Sequence, residues 1–433
     1  MDGTPAPVRG PVRPGERAPG PDLARGLMLL LIALANTPWY LYGARQSDLG
    51  GHPVDGSALD RAVQFAMLTA VDGRIYPMFA CLFGYGLIRI YDRQLESGAA
   101  PRAAAAVVRR RNLWLLVFGF VHGALLFFGD ILGAYGLLGL VLGWLLLRRS
   151  GRTMQVTAAV LVGFSLVLWL FSALGAVLAS LAPADASGGG APSGVSGFLR
   201  TSFGEEDYLA SAGDRIAAWS VMVPLQAFAV VMPAMMVLGM ALGRHRVLER
   251  TDRYLRLLTW TAVVGIGAAW LSGLPEALVH VGAAGASTPV AGALSGVRQM
   301  SGVLGGAGYV ALFGLIGHAV ARRGRRGPGT VAVIAVGKRS LSCYLAQSVL
   351  CAPLLAAWGL GLGAHFGSAS TALFAVAVWL VTLAGAYALE RTDRSGPAEV
   401  LLRRLSYRSG SGGRGGPAAA GTGPSGDPGP ATR

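Results

Sequence analysis

Long apolar blocks alternate with short arginine-rich joints along this chain. The blocks cover residues 23–42, 62–90, 113–128, 131–147, 154–181, 216–242, 255–274, 303–320, 331–358 and 372–389. A membrane-crossing helix needs about 20 predominantly apolar residues. The pattern therefore predicts an all-α, polytopic helical membrane protein with about ten transmembrane helices. Several blocks exceed the minimum, so tilt or an internal break is expected.

The joints set the orientation. Basic residues crowd into "RIYDRQLESGAAPRAAAAVVRRR" (89–111), "RRSGR" (148–152), "GRHRVLERTDRYLR" (243–256), "RRGRR" (322–326) and the tail from Arg391. The intervening turns are poor in arginine: 128–130, 182–197, 275–301 and the turn near His365. Loops rich in Lys and Arg stay in the cytoplasm. With ten spans every basic joint falls on the side of the N-terminus, which predicts N-in and C-in. Residues 1–21 are rich in Pro, Gly and Arg and read as a disordered cytoplasmic arm, not a cleaved signal peptide. Residues 22–407 form the transmembrane domain, interrupted by a flexible extracytoplasmic loop at 182–215. Residues 408–433 read as a disordered cytoplasmic tail. No internal repeat is visible.

Composition sharpens the class. Only 14% of the 433 residues are charged, against about 25% in a soluble domain. Mean hydropathy is +0.52. The net charge of +15 is almost all arginine, with Lys338 the single lysine, and it lies between apolar blocks rather than on a face suited to nucleic acid. No nucleic-acid partner is expected; the partner is the lipid bilayer. Cys81, Cys343 and Cys351 sit inside apolar segments, as small buried hydrophobes do, so neither a disulfide framework nor a cysteine metal site is expected. No P-loop, nucleophile elbow or H-E-x-x-H motif occurs.

Four places put ionisable residues into or beside apolar blocks, where one charge at mid-helix costs about 2.5–3.5 kcal/mol on insertion scales. "GFVHGALLFFGD" carries His122 and Asp130. Were the segment one unbroken helix, they would lie about 12 Å apart along it and could not touch. Asp130 opens the next block, where a carboxylate caps free N–H groups; His122 is either a neutral imidazole bonded within the bundle or a base facing a water-filled cavity. "PDLARG" places Asp22 and Arg25 at i and i+3 at the mouth of the first block, as an orienting ion pair or an anion-handling site. "TAVDGRIYP" sets Asp72 and Arg74 near mid-span around Gly73 and before Pro77. That sequence predicts a broken helix lining a cavity shared with His122. Glu276 and His280 read as a solvated helix end.

The D-x-x-R-G opening, "GRIYPMFACLFGYGL", "GFVHGALLFFGDILGAYGLLGL", "VGKRSLSCYLAQSVL" and "ERTDRSGPAEVLLRRLSY", in this order and spacing, resemble the YeiB-like family, domain of unknown function 418. The resemblance covers residues 21–407. It implies a bacterial cytoplasmic (inner) membrane protein. More remotely the family is similar to transmembrane acyltransferases, including acyltransferase-3 proteins and heparan-glucosaminide N-acetyltransferases, and Asp22, Arg25 and Gly26 carry the shared opening. That implies an acyltransferase taking acyl-CoA as substrate and a glycan, lipid or small molecule of the envelope as acceptor, with no bound cofactor or metal. In this reading His122 is the general base, Asp130 its electrostatic partner, and Asp22, Arg25, Asp72 and Arg74 position the donor or organise the cavity. The alternatives are a proton-coupled transporter or exporter of a small amphiphile, with Asp72, Arg74 and His122 as the relay, and a non-catalytic membrane scaffold.

Overall fold

The apolar blocks fold as helices in the computed structural model, which describes residues 19–45, 47, 51–181, 202–323 and 327–407; no β-strand occurs among them. The helices are α1 (Pro19–Asn36), α2 (Ala58–Ala66), α3 (Ile75–Glu96), α4 (Pro101–Leu125), α5 (Ile131–Leu146), α6 (Gly151–Leu181), α7 (Tyr208–Phe228) and α8 (Val231–Arg244). After these come α9 (Thr251–His280), α10 (Thr288–Met300), α11 (Gly302–Arg322), α12 (Pro328–Lys338), α13 (Ser340–Leu355), α14 (Ser368–Arg391) and α15 (Pro397–Tyr407). The expected arm and tail lie almost wholly outside the described residues, as does most of the expected 182–215 loop. Of that loop, residues 208–215 are helical, and α1 begins inside the expected arm, at Pro19.

Among the described residues six stretches are long and apolar enough to cross a membrane, or seven when α7 and α8, bent by 53° at their junction, count as one span. This number falls below the ten blocks for physical reasons. Arg109, Arg110 and Arg111 lie inside α4 and dilute its apolar run, while α5, α12 and α13 hold only 16, 11 and 16 residues. The 331–358 block is two helices because charge divides it. Lys338 Nζ and Arg339 Nη1 bind the two carboxylate oxygens of Glu390, at 2.5 and 2.7 Å. Arg339 Nη2 also donates to the Arg394 carbonyl at 2.5 Å. Glu399 then accepts from the Leu341 and Ser342 N–H groups at 2.8 and 3.1 Å, capping α13 with a carboxylate where the helix dipole favours one.

The core forms where α3 and α8 cross. Met78, Cys81, Leu82 and Tyr85 pack there with Met232, Met235, Met236 and Met240, all buried. Gly84 lies against the Met236 carbonyl and Gly239 against that of Cys81, so the two backbones meet without intervening side chains. The same device joins α1 to α12, with Gly26 on Val333 and Gly337 on Asp22. By contrast α6 exposes Val160, Phe164, Val167, Phe171 and Leu174, as a helix facing lipid does.

Candidate functional site

Helix α4 ends at Leu125, and the His122 carbonyl accepts from Leu126 N and Phe127 N at 2.9 and 3.2 Å to close it. The chain then reverses through Phe127, Phe128 and Gly129. Both phenylalanines bury themselves beside Tyr40 and Phe203 in an aromatic cluster. This reversal swings Asp130 back over the last turn of α4. His122 Nδ1 lies 2.9 Å from Asp130 Oδ1, with the two residues 3% and 0% exposed. The expectation that they cannot meet holds only for a continuous helix, and the helix is not continuous.

Asp130 does two jobs at once. Its Oδ2 accepts from Gly133 N at 2.6 Å as the N-cap of α5, while Oδ1 faces His122. Gly119 makes the approach feasible, because a side chain there would collide with the Asp130 carboxylate and the Gly133 backbone. A carboxylate only accepts hydrogen bonds, so the tautomer that suits this contact has the imidazole proton on Nδ1 and the lone pair on Nε2. That Nε2 is buried and has no partner among the described residues. Trp219 packs on Gly123, next to His122, and on Gly133, and its indole N–H is likewise buried without a partner. A basic nitrogen and a polar donor are thus left unused on the same two helix ends.

Tyr344 of α13 completes the cluster. Its ring centroid is 5.1 Å from that of His122, and its hydroxyl makes long contacts of 3.5 Å to Asp130 Oδ1 and to Ile131 N. Tyr344 also lines a cavity of about 20 Å³ with Asn36, Tyr40, Phe127, Gln347 and Cys351, room for about one water. Nothing in the sequence marks Tyr344 as a partner of Asp130, since 214 positions separate them.

The break expected around Asp72 and Arg74 is present. A π-helical turn (Met67–Val71) follows α2, Asp72 is extended, Gly73 takes φ +78°, and α3 begins at Ile75. Arg74, 0% exposed, spends its guanidinium on carbonyls the break leaves open: Leu68 at 3.2 Å, Ala269 at 2.6 Å, and Asp72. Asp72 Oδ2 lies 2.6 Å from Nε2 of His52, a residue the sequence did not single out. Beside them Arg298 Nε binds Glu276 Oε2 at 2.5 Å, with both residues buried, and His280 Nε2 lies 3.0 Å from the Pro53 carbonyl. Glu276 is therefore not at a solvated helix end: α9 runs on through His280, and α10 brings Arg298 against it.

Among the described residues no hydrogen bond or ion pair joins this second cluster to His122, and the cavity at Tyr344 is lined by neither Asp72 nor Arg74. The third pair sits at the arginine-rich end, where Arg25 Nη1 donates to Asp22 Oδ1 at 3.0 Å and Asp22 is 3% exposed. No cluster of three or more His, Cys, Asp or Glu side chains able to hold a metal occurs among the described residues.

Comparison with known proteins agrees with the blocks noted in the sequence. The family model described as "Protein of unknown function (DUF418)" matches residues 242–409. "Uncharacterized protein YeiB" of Escherichia coli (strain K12) is 28% identical over 340 residues, covering 77% of this chain and 81% of that relative. "Uncharacterized protein YxaH" of Bacillus subtilis (strain 168) is 26% identical over 427 residues, covering 92% of this chain and 96% of the relative. No solved structure matches the chain.

Proposed function

We propose that the chain, which belongs to the YeiB-like DUF418 family and buries a histidine–carboxylate pair at the end of α4, is an integral-membrane acyltransferase. The donor is an acyl-CoA from the cytoplasm, and the acceptor is a hydroxyl or amine on a glycan, lipid or small molecule of the cell envelope. One observation carries the reading. His122 Nδ1 is held by Asp130 while the buried Nε2 has no partner, which is the arrangement of a general base waiting for a proton. In the forward step Nε2 takes the acceptor proton as the acceptor oxygen or nitrogen bonds to the thioester carbonyl carbon. The carbon–sulfur bond then breaks and the imidazolium returns the proton to the departing thiolate. Asp130 keeps the tautomer and stabilises the imidazolium between the two events.

The rest of the reading follows from the arginine pattern: a bacterial cytoplasmic membrane, both termini in the cytoplasm, and the short helices α5, α12 and α13 inside the bilayer. Arg74 suits an organising role, because carbonyl oxygens already occupy its guanidinium. The second buried pair, His52–Asp72, favours a proton-coupled transporter as the alternative.

The test is release of free CoA thiol from a panel of acyl-CoAs by protein in proteoliposomes, comparing wild type with His122→Ala. Loss of a general base lowers the rate by about 10²–10⁴. A variant that folds, inserts and releases thiol at the wild-type rate would remove the acyl-transfer reading. Proton-driven uptake surviving that change but lost in Asp72→Asn would favour transport.

A further inference from the structure

Several arginines at the basic end of the bundle answer to a carboxylate. Arg244 pairs with Asp92, Arg246 with Glu96, and Arg89 with Glu249 at 2.9 Å. Arg111 breaks this pattern. Its guanidinium lies over the Phe83 ring, 5.1 Å from the centroid, and makes no hydrogen bond or ion pair among the described residues. It is within electrostatic reach of Arg25 and of the Tyr407 hydroxyl at the end of α15. Arg25 in turn lies against Gly86, one helical turn beyond Phe83 on α3, with Nη2 3.6 Å from where a Gly86 side chain would start. Two guanidiniums therefore face adjacent turns of one helix. The carboxylate beside Arg25, Asp22, is already bound to Arg25 Nη1.

Like charges gathered around one carboxylate repel unless an anion joins them. The planar, five-donor guanidinium matches phosphate oxygens bidentately, and stacking on an aromatic ring fixes its plane while leaving its edge free. We propose that Arg25 and Arg111 form a binding site for a phosphate-bearing ligand, a phosphomonoester or pyrophosphate. Phe83 and Gly86 are its floor, and Asp22 holds Arg25 in place. The site stands apart from the His122 pair and does not depend on the chemistry assigned to that pair.

Two sources carry this chemistry, a soluble nucleotide-type molecule and a phospholipid headgroup. Full-length protein would be titrated in detergent with inorganic pyrophosphate and adenosine 3′,5′-bisphosphate. Its thermal stability would also be compared in phosphatidylglycerol and phosphatidylcholine nanodiscs. Removing one charge-assisted partner in Arg111→Gln should weaken affinity about tenfold. Arg111→Lys should lose less, and the distant, exposed Arg152→Gln should match wild type. Discrimination between wild type and Arg111→Gln with the soluble phosphates assigns the site to a nucleotide-type ligand. Discrimination only in phosphatidylglycerol assigns it to lipid. If neither probe separates the two proteins, or if Arg152→Gln weakens binding equally, the site does not exist. His122→Ala should bind pyrophosphate as wild type does, so failure of acyl transfer and failure of this site remain distinguishable.

Discussion

Replacing Asp130 by asparagine separates its two roles. In the wild type Oδ2 caps α5 through Gly133 N at 2.6 Å while Oδ1 receives the His122 Nδ1 proton at 2.9 Å. Asparagine has one carbonyl oxygen and one amide nitrogen. If the oxygen stays on Gly133, as capping requires, the amide nitrogen faces His122 and donates to Nδ1. The imidazole proton then moves to Nε2, and the nitrogen with no protein partner becomes a donor instead of a base. Stability should change little, because Asn and Asp cap about equally well; an alanine at this position would cost about 0.5–2 kcal/mol in cap alone. Activity should fall far more, by about 10⁴ where the same exchange in a Ser-His-Asp triad imposes the wrong tautomer. The assay pairs thiol release in proteoliposomes with thermal unfolding of the purified variant. Thiol release within threefold of wild type would refute the argument. So would unfolding that tracks the lost activity, since the role would then be packing alone.

Three further outcomes follow from the structure. Gly119→Ala should drive a methyl into the Asp130 carboxylate and the Gly133 backbone; overpacking of this kind costs about 1–3 kcal/mol. Activity should fall with it, measured by thermal unfolding beside turnover, and a variant of unchanged stability would show that α4 and α5 do not meet there. Arg298→Gln should cost about 3–5 kcal/mol by leaving Glu276 buried and unpaired. The double variant Glu276→Gln/Arg298→Gln should recover part of that, and no recovery in a double-mutant cycle would argue against direct pairing. Reporter fusions at residue 195 and after residue 408 should report opposite sides of the membrane, and the same side for both would overturn the inferred topology.

The helices were legible because lipid demands long apolar runs, and the break at Asp72 was legible because charge, glycine and proline coincide. Partners were not. Period and composition describe one segment at a time, whereas Asp72 meets His52 across 20 positions, Glu276 meets Arg298 across 22, and Tyr344 reaches Asp130 across 214. Glu276 looked like a helix end because the chain beyond it is rich in Gly, Ala and Pro; α10 returns through exactly that region and seals it. The Asp130 reversal was hidden differently. "LLFFGD" holds a single turn-forming glycine, and the chain leaves the helix to bury Phe127 and Phe128 beside Phe203, a contact that no local pattern announces.

The two histidine–aspartate pairs also differ in what surrounds them, and the difference bears on which one can do chemistry. Around Asp72 the charges balance without the histidines, with Asp72 and Glu276 set against Arg74 and Arg298, and each guanidinium is already committed to a carbonyl or a carboxylate. Asp130 itself meets a backbone N–H, a distant tyrosine hydroxyl and His122, while buried Arg215 donates to the Ala124 carbonyl at 3.1 Å on the same end of α4. Among the described residues the Asp130 carboxylate makes no ion-pair contact other than the one with His122, 2.9 Å away. A base needs its protonated form to be stabilised at the moment it is made, with little rearrangement of its neighbours. The geometry at the end of α4 suits that requirement on the acyl-transfer proposal, whereas at the α2–α3 break Arg74 and Arg298 already offset Asp72 and Glu276.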